Sequence, residues 1–430
     1  MKVKGLRWWI ITLIGVATVI NYIDRSAINI MWPYIYKDFG IADAQNKEAL
    51  AYITSLFMIA YLLGQTFMGK MIDSIGTRIG FVFSIVGWSI SIALHALAKG
   101  LISFSAFRFF LGYFEAGNWP GATKSNAEWF PSKERAIAQG IFGAGASLGS
   151  VVAAPFIASL YLAFGWQATF IGIAALGFLW IIPWLWVNKD NPKNHPWLSH
   201  EEREHITSDP ISQNNDLGHK EIFKWWSPFL PVFITVCFII VARIMFGVGP
   251  DILIGTIVAL ALVLGSNIKL LRFRNAWAIL SSRFFIDPVW WMFVTWLPTF
   301  LKEQFRFDIK QVGAFAWLPY LFAAVGGLLG GFYSSMRVRK GVDAAKARKE
   351  AITIGSALML VSLALTAFYL NSLKENIPLA IGLISTTLFG FQFLINNIQT
   401  LPSDYFHGKN VGTVAGMGGT TAVAGTLITT

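Results

Sequence analysis

Apolar segments of about 20 residues, the length of helix that crosses the hydrocarbon of a bilayer, recur from residue 8 to the end of this chain with no large polar domain between them. Backbone groups in lipid must find partners within the chain, and a helix supplies them locally. Composition agrees: 55% of the residues are hydrophobic and 13% charged, whereas soluble domains carry roughly a quarter of their residues as charged side chains. The chain reads as an all-α polytopic membrane protein, and an ordinary water-soluble protein is excluded.

The spacing predicts spans near 8–33, 49–69, 78–98, 101–123, 137–161 and 166–187, then a polar stretch 188–225. Two shorter apolar runs follow at 228–248 and 251–270. Further spans are predicted near 276–301, 311–334, 351–370 and 377–400, and a last one opens after Asn410. Three regions result: an N-terminal bundle 1–187, a linker with an extra hydrophobic hairpin 188–275, and a C-terminal bundle 276–430. Lys and Arg are retained in cytoplasmic loops, so Lys2, Lys4 and Arg7 put the N-terminus inside, as do the later clusters from Lys70 and Arg78 to Arg337–Lys349. The two short runs cross as a hairpin with its tip at Gly249–Asp251 or do not cross at all; both keep the same direction for every later span. The basic N-terminus and first apolar stretch resemble a secretory signal without a small-residue cleavage site, so they are read as a retained span.

The net charge of +11 is spread over short inter-span clusters, a pattern of orientation and not of nucleic-acid binding. One cysteine, Cys237, allows no internal disulfide and no thiol metal site. The segment "HPWLSHEEREHI" holds His195, His200 and His205, but their spacing does not put three ligands on one helix face; Ser199 and Glu202 form a capping box there. No metal is expected. "GIFGAGASLGSVVAAP" (Gly140, Gly143, Gly145, Gly149) reads as a close helix-packing face.

Charges inside the spans are the informative feature, because each is costly in hydrocarbon. Asp24 lies nine residues from the outer end of the first span, about 13 Å deep at 1.5 Å per residue. Arg108, seven residues into the fourth span, lies about 10 Å deep, and Glu115, two turns further on the same face, about 21 Å. Asp24, Arg25, Arg108 and Glu115 thus converge on a polar cavity within a bundle, paired as Asp24–Arg108 or as Arg25–Glu115. Asn21, Tyr22, Tyr61, Gln65 and Asn118 surround them with groups suited to a hydroxylated ligand. In the second half Arg283 and Asp287 stand four residues apart, as a local salt bridge or a ligand contact, with Pro288 able to break the helix. Gln392, Asn396, Asn397 and Gln399 form the richest amide cluster, serving either as interhelical glue or as substrate donors.

The loop "GKMIDSIGTRIG", with Gly69, Asp73, Gly76 and Arg78, resembles the signature gating loop of the major facilitator superfamily. Its counterpart "GFYSSMRVRKG" keeps Gly331, Arg339 and Gly341 but has Ser335 in the acid's place. The resemblance implies two six-helix half-bundles related by a pseudo-two-fold repeat. "NYIDR", "RFFLGYFEAGNWPGATKSNAEWFPSKERA", "RFFIDPVWWMFVTWLP" and "LPSDYF" are further similar to the anion:cation symporter family, specifically its bacterial hexuronate permeases.

That resemblance implies a proton-coupled hexuronate symporter of the inner membrane, a monomer with no cofactor beyond the coupling proton. Asp24 and Glu115 would be the coupling carboxylates, and Arg25 or Arg108 the receiver of the substrate carboxylate. Tyr22 and Tyr61 would line the site, with Asn118 and Asn396 as further substrate contacts. Protonation of Asp24 is expected to loosen an arginine for the substrate, and proton release from Glu115 to reset it. Two departures stand out: Ala146 and Ser147 occupy the place of a glutamine in sugar-acid relatives, and the family's twelve spans end here in the eleventh, leaving the C-terminal half-bundle incomplete, with impaired insertion or transport as the consequence. The rivals are carriers of aldonates, glucarate or other organic anions, sodium-driven transport, a non-transporting sensor, and an enzyme acting on lipid-linked sugar; no paired acid and histidine near the membrane surface favours the enzyme.

Overall fold

Where the chain turns, the sequence supplies a residue that tolerates the turn. α1 (Leu6–Ile35) and α2 (Asn46–Ile75) are 30 residues each, and α2 stops at Gly76, whose φ of 83° lets α3 (Thr77–Leu94) reverse direction. α4 (Leu101–Glu115) and α5 (Asn118–Trp129) form one span interrupted at Ala116 and Gly117. α6 (Ser132–Val187) holds two spans folded back at Gly165, with φ 78° and ψ 173°. Trp166 beside that fold donates to Asp38 Oδ2 after α1 at 2.9 Å, and Trp184 donates to the Arg78 carbonyl after α2 at 3.0 Å. The second arm therefore returns to the face of the bundle from which α1 starts, here the N-terminal face.

The computed structural model describes residues 3–189, 191–207, 229–246, 250–306, 315, 317–369, 376–406 and 408–429. Half of the polar stretch 188–225 and the hairpin residue Gly249 lie outside them. α7 (His200–Thr207) caps the start of α1: Glu202 accepts from the backbone N–H groups of Gly5, Leu6 and Arg7 at 3.0, 3.2 and 3.3 Å. Half of the expected capping box forms, Ser199 Oγ accepting from Glu202 N at 3.2 Å; the other half is replaced because the carboxylate serves α1.

α8 (Phe229–Phe246) and α9 (Pro250–Gly265) pack together as a hairpin, and α9 lies against α2 and against α14 (Val411–Thr429). Arg243 stacks over Tyr52 at 4.8 Å, and Lys70 Nζ donates to the Ser266 carbonyl at 3.4 Å. Tyr52 and Lys70 are separated by about 27 Å along α2, so the hairpin follows most of that helix. Both of its helices are apolar but shorter than the candidate spans.

The second half comprises α10 (Arg274–Phe305), α11 (Trp317–Arg339), α12 (Ala344–Phe368), α13 (Ile377–Tyr405) and α14. α10 runs unbroken through Pro288, so the break considered there does not occur. Eight helices among the described residues have the length and apolarity of a membrane span, the folded α6 counting as one. The halves meet along α2 with α14 and along α6 with α11. Glycines make both seams: Gly69 lies on the Gly412 backbone, Gly140 on Gly327, and Gly331 on Ala136. Gly145 and Gly149 likewise admit the α1 backbone at Gly15 and Val19, which is the packing face expected of that stretch.

Candidate functional site

Between the halves lies a cavity built on α1, α2, α5, α6, α10, α13 and α14. α1 contributes Tyr22 and Arg25, α2 contributes Tyr61 and Gln65, and α10 contributes Arg283, Asp287, Trp290 and Trp291. Trp119, Phe391, Gln392 and Gln399 complete its aromatic and amide wall. The free space is about 40 Å³, room for a few waters. A sugar-sized ligand therefore enters only when the halves part.

Arg25 is 7% exposed, and its guanidinium lies 4.4 Å from the Tyr61 ring centre, 5.2 Å from that of Tyr22 and 5.6 Å from that of Trp291. From behind, its Nε donates to Glu115 Oε2 at 2.8 Å. The observed pairing is thus Arg25–Glu115. Arg25 Nη2 has no hydrogen-bond partner among the described residues, which leaves a charge-assisted donor unused beside the cavity.

Asp24, Arg108 and Glu115 are buried and lie outside the cavity lining. Both Asp24 oxygens, both side-chain atoms of Asn21, Glu115 Oε1, and Arg108 Nε and Nη1 lack partners among the described residues. Arg108 Nη2 donates to the Arg25 carbonyl at 3.1 Å, and its guanidinium sits 4.6 Å from the Phe57 ring centre. The four charges do gather, but only Arg25 reaches the lining. Arg108 lies outside the lining of this conformer, with Nη2 on the α1 backbone and its guanidinium on an aromatic face.

Two amides of the predicted site also lie at helix contacts. Asn118 donates to Thr18 Oγ1 at 3.1 Å and ties α5 to α1; Asn396 faces Gly143 and Gly327 at the α6–α11 seam. Neither lines the cavity, since each points along a helix contact. Gln392 and Gln399 do line it, as do Arg283 and Asp287, whose local salt bridge and cavity exposure coexist. Trp119, Trp290 and Trp291 also line it, and three tryptophans flanking membrane-embedded charges are the sequence signal for them. Ala146 lines the cavity, and Ser147 Oγ is buried without a partner among the described residues.

The residues 14–430 match the family profile described as Major Facilitator Superfamily. The chain belongs to the Major Facilitator Superfamily. It is a multi-span membrane transporter and not an enzyme. Among curated relatives, a hexuronate transporter of Escherichia coli K12 is 31% identical over 428 residues, 99% of this chain and 87% of that protein. A galacturonate transporter of Dickeya chrysanthemi is 31% identical over 361 residues, 84% of this chain and 90% of that protein. The human organic anion transporter MFSD10 has the same fold, with a TM-score of 0.65 at 17% identity, covering 98% of this chain and 92% of that one.

In this transporter the signature loop is a latch between halves. Asp73 accepts from the Gly412 and Thr413 backbone N–H groups at 3.0 and 2.7 Å and from Thr413 Oγ1 at 2.8 Å. Gly412 and Thr413 open α14, where backbone donors have no partner within the helix. Lys124 lies 3.4 Å from the same carboxylate and donates to the Gly408 carbonyl. Arg78 donates instead to the Lys189 carbonyl at 3.1 Å, fixing the loop to the end of α6. Ser335, the residue in the acid's place, accepts from Ile137 N at 3.2 Å. The second copy thus keeps a cross-seam acceptor without the charge.

Proposed function

We propose that this transporter imports hexuronates with protons by alternating access, in the cell inner membrane with its N-terminus in the cytoplasm. The observation that carries the reading is the Arg25 guanidinium, lining a cavity between the halves, framed by tyrosines and tryptophans, with one donor unused. The curated relatives named for hexuronate and galacturonate support the substrate class. An arginine presents a planar fork that matches a carboxylate, and aromatic faces suit the apolar faces of a pyranose ring.

The coupling then follows from competition for one cation. In the empty cavity Glu115 neutralises Arg25; an incoming carboxylate takes over the guanidinium, and the displaced Glu115 carboxylate, now buried without its counter-charge, takes up a proton. Release of substrate on the other side returns Arg25 to Glu115 and expels the proton. This moves the loosening step from Asp24 to Glu115, because Asp24 makes no hydrogen bond to an arginine. Asp24 remains a second proton acceptor, both its oxygens being without a hydrogen-bond partner among the described residues.

Uptake of labelled glucuronate into proteoliposomes tests the reading. An inward-directed proton gradient is expected to drive accumulation, and Glu115→Gln to abolish accumulation while leaving exchange of glucuronate across the membrane. Accumulation by Glu115→Gln equal to that of the unmodified protein, or accumulation driven by sodium and not by protons, overturns the coupling.

A further inference from the structure

The cavity holds a second guanidinium, on the opposite half from Arg25. Arg283 Nε donates to Asp287 Oδ2 at 2.6 Å and Nη2 donates to Asp287 Oδ1 at 2.9 Å, a two-bond fork between residues one helical turn apart on α10. Both side chains are 11% exposed and both line the cavity. The geometry differs from that of Arg25 in one respect that decides what each can bind: Glu115 holds Arg25 by one bond from behind, outside the lining, whereas Asp287 covers the paired edge of Arg283 and shares the lining with it. Tyr22 and Tyr61, which lie against the Arg25 guanidinium, share the lining with Arg283 and Asp287.

We propose that the Arg283–Asp287 pair is a specificity element that restricts the site to sugar acids with a single carboxylate, by masking the cation that a second carboxylate would need. This rests on the reading of Arg25 as the carboxylate receiver and narrows the substrate class. A ligand anchored at Arg25 meets at its far end a neutral dyad offering acceptor oxygens beside guanidinium nitrogens, which suits adjacent hydroxyl groups. A diacid of the same carbon number, such as galactarate, would bring a carboxylate against Asp287. Like charges at that distance in a water-poor cavity repel strongly, and displacing Asp287 from a two-bond fork forfeits two charge-assisted hydrogen bonds. Asp287 is therefore the repulsive element of the site and the source of discrimination.

The test compares binding of glucuronate and galactarate to purified protein by ligand-induced thermal stabilisation, with competition against labelled glucuronate uptake as the second readout. The unmodified protein is expected to bind glucuronate at least about tenfold more tightly than galactarate. Asp287→Asn unmasks Arg283 and is expected to shift the ratio toward galactarate by about tenfold or more, one factor of ten being about 1.4 kcal/mol. The double variant Asp287→Asn with Arg283→Gln is expected to lose that gain, which a general loosening of the cavity would not do. An unchanged ratio in Asp287→Asn, with glucuronate still bound, overturns the masking role alone. Equal or tighter binding of galactarate by the unmodified protein does the same. Failure of the unmodified protein to bind either acid overturns the function proposed above, and this inference with it.

Discussion

A guanidinium in hydrocarbon costs several kcal/mol unless its charge and donors are matched, and Arg25 is matched on one side only. Glu115 answers its charge and Tyr61 its face, while Nη2 is left over. A lysine would keep the charge and lose the planar fork. Hydrogen bonds to charged groups contribute about 1.5–3 kcal/mol each, so Arg25→Lys should raise the glucuronate KM by about tenfold or more; Arg25→Gln should abolish saturable uptake. An unaltered KM in Arg25→Lys would show that the carboxylate sits elsewhere. Depth along the spans brings Asp24, Arg25, Arg108 and Glu115 together from the sequence alone, because rise per residue is fixed. Which acid meets which base was not legible, since it turns on helix rotation and side-chain rotamers. Asn118 and Asn396 show the same limit: an amide in a span needs a partner, and sequence does not tell a neighbouring helix from a cavity.

Most helices were legible in position, with ends displaced by as much as seven residues, as at Ala344 against the predicted 351, and the turns at Gly76 and Gly165 carry backbone angles that other residues adopt poorly. Whether the hairpin crosses was not decidable from sequence, because a pair of crossings leaves every later direction unchanged; the contacts at Tyr52 and Lys70 show only that it lies along α2. Glycine is needed at the seams for a different reason, close approach of backbones. A side chain at Gly331 would meet the Ala136 carbonyl across the α6–α11 contact, whereas Gly382 on α13 has open space around it. Overpacking of a tight contact costs about 1–3 kcal/mol. Gly331→Leu should therefore lower the melting temperature of the purified protein by several degrees, and Gly382→Leu should leave it unchanged. Equal effects at the two sites would mean that the α6–α11 seam is looser than its geometry.

At the scale of the whole molecule, several polar contacts among the described residues join the halves on one side of the cavity. Thr66 meets Thr420 at 2.8 Å, Gln139 meets Gln399 at 2.8 Å, Arg135 donates to the Ser403 carbonyl at 2.7 Å, and Arg348 to the Ser132 carbonyl at 2.9 Å. Together with Asp73 on α14 they extend from the middle of α2 to its N-terminal-face end, so this conformer is closed on that face. Transport requires these bonds to break together, and the state they stabilise should be sensitive to the strongest of them. Asp73 holds three donors of α14 with one carboxylate; Asp73→Asn removes the charge from all three. A loss of about 1.5–3 kcal/mol would raise the ratio of open to closed forms on this face about tenfold or more. Spin labels at Lys133 and Lys340, exposed residues on the two halves at that face, in a Cys237→Ser background, would report it. The unmodified protein should give predominantly the shorter distance and Asp73→Asn a second, longer one. A distribution untouched by Asp73→Asn would place the gate's free energy in the glycine seams, where apposed backbones and not the carboxylate would hold the halves together.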